Sequence, residues 1–218
     1  MDVYTQVFNK REFKTIMGHT HPQYSIDCFR EDEIKFREKY WDIKPEHVVF
    51  DIGASYGAYT LAAGVMGAAV YAFESEKTVY CDLVNNIRLN DWAWRCFAFN
   101  TGMWNTRAVI NMESYAPHWP QATISGGYLM DTIDEVAEAH LIPRLDWVKI
   151  DVEGAEEKVI KGGLMAIEKL KPNLIIECHI FLDPNIMENI KKLLLTAGNY
   201  EFEEVERDPC IMLVAKVK

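Results

Sequence analysis

The sequence predicts an α/β domain built on a mostly parallel sheet. From His47 onward, short apolar runs alternate with amphipathic stretches, as strands and crossover helices do in such sheets. A glycine-rich loop joins the first apolar run to the first amphipathic stretch. Two strand-like runs near the C-terminus flank the turn at 207–209, which predicts a closing antiparallel hairpin.

The elements follow from these patterns in chain order. Apolar runs predict strands at 48–50, 70–73, 96–99, 108–112, 147–150, 174–176, 200–205 and 211–217. Helical spacing predicts helices at 31–41, 59–66, 77–89, 132–139, 155–166 and 185–197. Gly162 and Gly163 weaken the far half of the helix at 155–166. We expect residues 1–46 to form a helical cover or lid and residues 47–218 to form the main domain.

Composition narrows the classes of partner. The chain has 218 residues and a net charge of −10, which argues against nucleic acid because phosphate contacts need a concentrated field of Lys and Arg. The five cysteines are scattered and form no C-x-x-C pair, so zinc and disulfide frameworks both lose support. No apolar run is long enough to span a bilayer. We expect a cytoplasmic protein without a membrane partner. The sequence does not decide between a monomer and a homo-oligomer.

The glycine loop is the first candidate for a ligand site. It runs Asp51-Ile52-Gly53-Ala54-Ser55-Tyr56-Gly57, at the strand-to-helix turn where ligands of open α/β sheets bind. Its glycines allow a sharp turn and a close approach of the backbone to a ligand. Tight packing between helix and strand would explain the loop equally well.

Glu74 favours the ligand interpretation of this loop. It ends the second predicted strand, where a carboxylate can accept both ribose hydroxyls of a nucleoside. The loop lacks the G-x-G-x-x-G spacing of nicotinamide dinucleotide sites, and Asp51 beside it disfavours pyrophosphate. An anionic Asp suits a cationic ammonium or sulfonium, and S-adenosylmethionine is the cofactor we expect.

A second polar cluster follows the strands at 147–150 and 174–176. Asp151 and Glu153 follow the first strand, and Glu177 and His179 follow the second, so all four are expected near one edge of the sheet. His179 has an intrinsic pKa suited to a general base, and Asp151 and Glu177 are further catalytic candidates. An N-cap role for Asp151 or Glu153 and a structural role for His179 are the alternatives. The four residues could also hold Mg²⁺, although no fixed-spacing metal motif supports a cation.

Glu153 of the second cluster and three residues outside these clusters are candidates for contact with a substrate. His19 and His21 have a spacing that would place both on one face of a strand, although a polar surface loop explains them slightly better. Trp119 lies in a long loop rich in proline and glycine, where it could stack on a sugar or an apolar acceptor.

Several motifs together resemble the FkbM family of class I methyltransferases, which O-methylate sugars and natural products. The matching segments, in order, are VVFDIGASYGAYT (48–60), AFES (72–75), LVNNIRLN (83–90), NTGMWN (100–105), MDTID (130–134), DWVKIDVEGAE (146–156) and IIECH (175–179). This resemblance implies a Rossmann-like fold with a mostly parallel seven-stranded sheet, a C-terminal antiparallel hairpin and helices on both faces.

The resemblance also implies roles for individual residues. It places Asp51, Gly53 and the loop residues Ala54, Ser55, Tyr56 and Gly57 around the methionine part of S-adenosylmethionine. Glu74 and Ser75 would lie at the ribose, Asn100 and Thr101 near the adenine, and Asp151 at the reacting centre. Ser75 stands where the family commonly has Pro.

The resulting hypothesis is an enzyme that transfers a methyl group from S-adenosylmethionine to a hydroxyl of a small molecule or saccharide. N-methylation is an alternative chemistry for the same fold. A regulatory module that binds the cofactor without turnover is a second hypothesis. A nicotinamide-dependent oxidoreductase is the third, and the spacing of the loop disfavours it.

Overall fold

The computed structural model describes residues 3–16, 27–110 and 127–218. His19, His21 and Trp119 lie outside these residues. The chain divides into two compact units, Met1–Asn100 and Thr101–Lys218, at a different place from the predicted boundary at residue 46. No helix of the described ranges is long and apolar enough to cross a membrane.

The first unit contains a parallel three-stranded arrangement in the order β3-β4-β5. Its strands are β3 (Val48–Ile52), β4 (Ala69–Phe73) and β5 (Cys96–Phe99). Its helices are α1 (Glu31–Tyr40), α2 (Ala58–Met66) and α3 (Lys77–Arg88). Predictions for these six elements are confirmed to within one residue at most ends, because each is a clear apolar run or an amphipathic stretch.

The N-terminal segment is not wholly helical, so the prediction of a helical cover is wrong for residues 3–16. β1 (Val3–Phe8) and β2 (Arg11–Ile16) form an antiparallel hairpin. Its two turn residues, Asn9 and Lys10, both have positive φ, which fits the twist of a tight two-residue hairpin. The backbone N–H of Ile16 donates to Asn86 Oδ1 on α3, and Asn86 Nδ2 donates to the carbonyl of Tyr56. The hairpin is therefore connected through one buried asparagine to the glycine loop.

The second unit contains four strands in the order β11-β12-β10-β9. β9 (Trp147–Ile150) and β10 (Asn173–Cys178) are parallel, and the hairpin β11 (Tyr200–Arg207) and β12 (Cys210–Val217) adds antiparallel to β10. This confirms the predicted core strands and the C-terminal hairpin. β7 (Ala108–Ile110) lies within the strand predicted at 108–112, whereas β6 (Gly102–Met103) and β8 (Tyr128–Asp131) were not predicted. These three strands form a small sheet.

The helices of the second unit are α4 (Ile133–Ala139), α5 (Glu156–Lys161), α6 (Leu164–Leu170) and α7 (Ile186–Ala197). The single helix predicted at 155–166 is wrong, because the chain breaks into α5 and α6 at Gly162 and Gly163. A Cβ atom on Gly162 would lie 2.0 Å from the carbonyl oxygen of Trp104. Only glycine allows this close approach between two backbone segments.

Gly64 in α2 provides a test of the packing in the first unit. A Cβ at this position would lie 2.2 Å from the Trp92 ring, so we expect Gly64→Ala to lower stability by about 1 to 3 kcal/mol through overpacking. Thermal unfolding followed by circular dichroism measures the effect. Asn85→Ala, at an exposed position of α3, is the control and should leave Tm nearly unchanged. An unchanged Tm in Gly64→Ala would contradict the packing described here.

Candidate active site

The glycine loop of the first unit curls between β3 and α2. Gly53, Ser55 and Gly57 have φ values of 71°, 51° and 93°, all in the left-handed region. A Cβ on Gly57 would lie 2.8 Å from Leu83 Cδ1 and would also be strained at this φ. The loop therefore depends on glycine both for its conformation and for its close packing on α3.

Glu74 connects this loop to the end of β4. Its Oε2 accepts a hydrogen bond from the backbone N–H of Ser55 at 2.9 Å, and its Oε1 accepts from the N–H of Glu76 at 2.8 Å. A carboxylate oxygen has two lone pairs, so each oxygen can accept a further hydrogen bond. The side chain is only partly buried.

Asn100, which follows β5, stabilises the turn at Glu74 and Ser75 after β4. Its Nδ2 donates to the carbonyl oxygens of Glu74 and Ser75 at 2.9 and 3.1 Å. The amide nitrogen of Asn100 therefore donates its hydrogen bonds to the backbone of this turn. Its Oδ1 is the side-chain atom that could accept a hydrogen bond from a ligand. Thr101 begins the second unit, where its hydroxyl donates to the carbonyl of Leu129.

Asp51 and parts of the loop lie below the protein surface. The Asp51 side chain is fully buried, and its Oδ2 accepts a short hydrogen bond of 2.6 Å from the Thr60 hydroxyl on α2. Ala54 and Tyr56 are also buried. In this conformation Asp51 holds the loop against α2, and the partly exposed residues of the loop are Gly53 and Ser55.

The polar cluster of the second unit forms at the carboxyl ends of β9 and β10. Their parallel register pairs Ile176 with Ile150, so the residues that follow each strand emerge side by side. His179 Nε2 lies 4.0 Å from Asp151 Oδ1 and 3.2 Å from Glu153 Oε2. The predicted proximity of Asp151, Glu153 and His179 is confirmed.

His179 is held from both ring nitrogens. The residue is 3% exposed, and its Nδ1 lies 2.7 Å from Oε1 of Glu156, the fully buried first residue of α5. Burial alone would lower the pKa of His179, but hydrogen bonds to Glu153 and Glu156 and the charges of Glu156 and Asp151 raise that pKa to about 11. A protonated imidazole has no lone pair to accept a proton. The arrangement therefore argues against His179 as the general base expected from the sequence.

Glu177 has the electrostatic environment of a proton-transfer group. The charge of Asp151 and then burial raise the pKa of Glu177 to about 7, against the opposing effects of His179, a hydrogen bond from Cys210 and Lys149. Burial also raises the pKa of the Cys210 thiol, which stays a neutral donor. A carboxyl whose pKa lies near neutrality is suited to acid–base chemistry at neutral pH.

Sequence reasoning missed three members of this cluster: Glu156, Lys149 and Cys210. Lys149 is buried, and its Nζ lies 3.6 Å from Asp151 Oδ2. Glu156 could have been identified, since it ends the KIDVEG-x-E segment and two nearby carboxylates already marked that strand end. No local signal singles out Cys210, because its contact with Glu177 depends on the pairing of β12 with β10.

Two comparisons with known proteins find similarity to methyltransferases. The model of the methyltransferase FkbM domain matches residues 130–203. The hexuronic acid methyltransferase AglP of Haloferax volcanii is 27% identical over 174 residues, which cover 77% of this chain and 70% of AglP.

Solved structures agree on the fold. The methyltransferase FkbM of Methylobacillus flagellatus KT superimposes with a TM-score of 0.62 at 16% identity, over 88% of this chain and 54% of its own chain. This chain therefore spans about half the length of that protein. Aeropyrum pernix fibrillarin, solved with bound S-adenosyl-L-methionine, gives a TM-score of 0.51 at 14% identity, over 79% of this chain and 67% of its own. The predicted Rossmann-like class I methyltransferase fold is confirmed, and residues 130–203 are similar to the methyltransferase FkbM domain.

Proposed function

We propose that this protein transfers a methyl group from S-adenosylmethionine to a hydroxyl of a saccharide, and that the acceptor sugar carries a carboxylate. The observation that carries the proposal is the partly exposed Glu74 carboxylate, which supports the glycine loop from the end of β4, where open α/β sheets bind ligands. The acceptor class is suggested by the relative AglP, whose name states that it methylates hexuronic acid.

The first unit supplies the residues for the cofactor in this proposal. When bound, S-adenosylmethionine supplies an electrophilic methyl group on a sulfonium. Glu74 accepts hydrogen bonds from the ribose hydroxyls, while the Ser55 N–H keeps the carboxylate oriented. Gly53 and Ser55 allow the backbone of the loop to approach the ligand, and Asp51 stabilises the loop from below through Thr60.

The second unit supplies the residues for proton transfer. Methyl transfer breaks the bond between the methyl carbon and the sulfonium sulfur and releases a neutral thioether, which leaves readily. The protein therefore has to align the acceptor and remove the hydroxyl proton. His179 is engaged by carboxylates at both nitrogens, so we assign proton acceptance to a carboxylate, Glu177 or Asp151. His179 is then a positioning residue that orders Glu153 and balances the negative charge of the cluster.

Glu74→Gln tests the cofactor site. The substitution removes the charge and one acceptor oxygen, so we expect S-adenosylmethionine to bind roughly 10- to 100-fold more weakly, as for loss of charge-assisted hydrogen bonds. Isothermal titration calorimetry measures the affinity. Asp91→Asn, an exposed residue of the same unit, is the control and should bind like wild type. Equal affinities for both variants would remove Glu74 from the site.

A panel of acceptors tests the reaction itself. Methyl transfer from radiolabelled S-adenosylmethionine is expected for glycans that contain a uronic acid, and not for the same glycans after reduction of the carboxylate to an alcohol. Mass spectrometry of the product locates the methyl group on oxygen or nitrogen. Tight binding of the cofactor without turnover on any saccharide would instead support the regulatory module.

Glu177→Gln and His179→Gln separate proton transfer from positioning. Loss of a general base typically costs 10²- to 10⁴-fold, so we expect kcat to fall by about that factor in Glu177→Gln while cofactor affinity stays near wild type. His179→Gln keeps a hydrogen-bonding side chain in place of the ring and should reduce kcat less. A larger loss in His179→Gln than in both Glu177→Gln and Asp151→Asn would return the role of base to the histidine.

A further inference from the structure

The edge of the second unit described above carries more acidic than basic groups. Asp151, Glu153, Glu156 and Glu177 provide four carboxylates, while His179 and Lys149 provide two cations. Glu156 is fully buried, and its Oε2 has no hydrogen-bond partner in the described part of the chain. Buried negative charge of this kind requires compensation by a cation.

His179 distinguishes this cluster from an ordinary acidic surface. Its side chain is 4% exposed, so the imidazole is fixed by its surroundings. Glu156 Oε1 contacts Nδ1 and also accepts from the N–H of Gly154, which leaves Nε2 directed at Asp151 and Glu153. Histidines that bind metals commonly have a carboxylate on the other ring nitrogen, because it fixes the tautomer and the orientation of the ring.

The spacing of the three remaining atoms fits a single cation. Nε2 of His179, a carboxylate oxygen of Asp151 and one of Glu153 all lie within 4.8 Å of one another. Ligands bound about 2.0 to 2.2 Å from one ion lie roughly 3 to 4 Å apart, which matches the 3.2 and 4.0 Å from Nε2 to the two carboxylates. Asp151 and Glu153 are 30% and 39% exposed, so the remaining coordination positions face solvent.

We propose that Asp151, Glu153 and His179 bind one divalent transition-metal ion, which takes the place of the proton on His179 Nε2, with Glu156 as the outer carboxylate that orients the imidazole. One imidazole nitrogen with two carboxylates favours Mn²⁺, Co²⁺ or Zn²⁺ over Ca²⁺, which prefers oxygen ligands alone. Binding of the ion does not depend on the proposed reaction.

The use of the ion does rest on the proposed function. An acceptor that carries a carboxylate would be repelled by the acidic cluster, since like charges at close range are unfavourable. A divalent ion in this position reduces the net negative charge of the cluster and offers an open coordination position to the anionic sugar. The ion therefore favours an acidic acceptor over a neutral one.

Titration of the chelator-treated protein with Co²⁺, followed by visible absorption, tests the site. We expect one ion per chain, with ligand-field bands that change in His179→Gln because a nitrogen ligand is lost. Asp151→Asn and Glu153→Gln should each weaken binding by tenfold or more, and Glu156→Gln should weaken it by about 10- to 100-fold through the loss of orientation of the ring. Glu188→Gln, an exposed glutamate on α7, is the matched control and should bind Co²⁺ like wild type.

The outcomes separate this site from the proposed reaction. Circular dichroism verifies that Glu153→Gln, a change at a partly exposed position, is folded. Binding of Co²⁺ that is the same in wild type, Glu153→Gln and Glu188→Gln would overturn the site, as would the absence of binding by Co²⁺, Mn²⁺ and Zn²⁺. Stoichiometric binding without methyl transfer supports the ion site and contradicts the proposed function. Full methyl transfer by the metal-free protein would support the proposed function and contradict a role of the ion in the choice of acceptor.

Discussion

The carboxylate of Glu74 joins the two segments on which the cofactor site depends. One oxygen binds the N–H of Ser55 and the other binds the N–H of Glu76, so the glycine loop and the turn after β4 share one anionic group. The left-handed φ values of Gly53, Ser55 and Gly57 bring the Ser55 N–H to this carboxylate. A ribose then meets an acceptor whose orientation is already fixed, which reduces the entropic cost of binding.

A comparable arrangement orders the second unit. Buried Glu156 fixes His179, and His179 in turn contacts the more exposed Glu153 and Asp151. Each unit thus uses a carboxylate that accepts a backbone N–H to hold a second polar group in place. Such support keeps the geometry of a site without help from the ligand.

The sequence predicted the elements whose signal is local. β3, β4, β9 and β10 are short apolar runs because most residues on both of their faces are buried, and that pattern needs no knowledge of the partner strands. β1 and β2 were missed because most of their residues are exposed and only a few, such as Phe8 and Phe13, are buried, so neither strand has a regular apolar pattern. The role of His179 was misjudged for a different reason. Its pKa depends on Glu153 and Glu156, more than 20 positions earlier in the chain, and no local pattern reveals that both ring nitrogens have acidic partners.

The most direct test of a cofactor site built on Glu74 is hydrogen–deuterium exchange with saturating S-adenosylhomocysteine, read out by mass spectrometry. Slower exchange is predicted for peptides that contain residues 52–57 and 74–76, because their backbone N–H groups become shielded and ordered by the ligand. The C-terminal hairpin at 200–217 should exchange as in the free protein. Bound ligand with unchanged exchange at 52–57 and 74–76 would contradict the account.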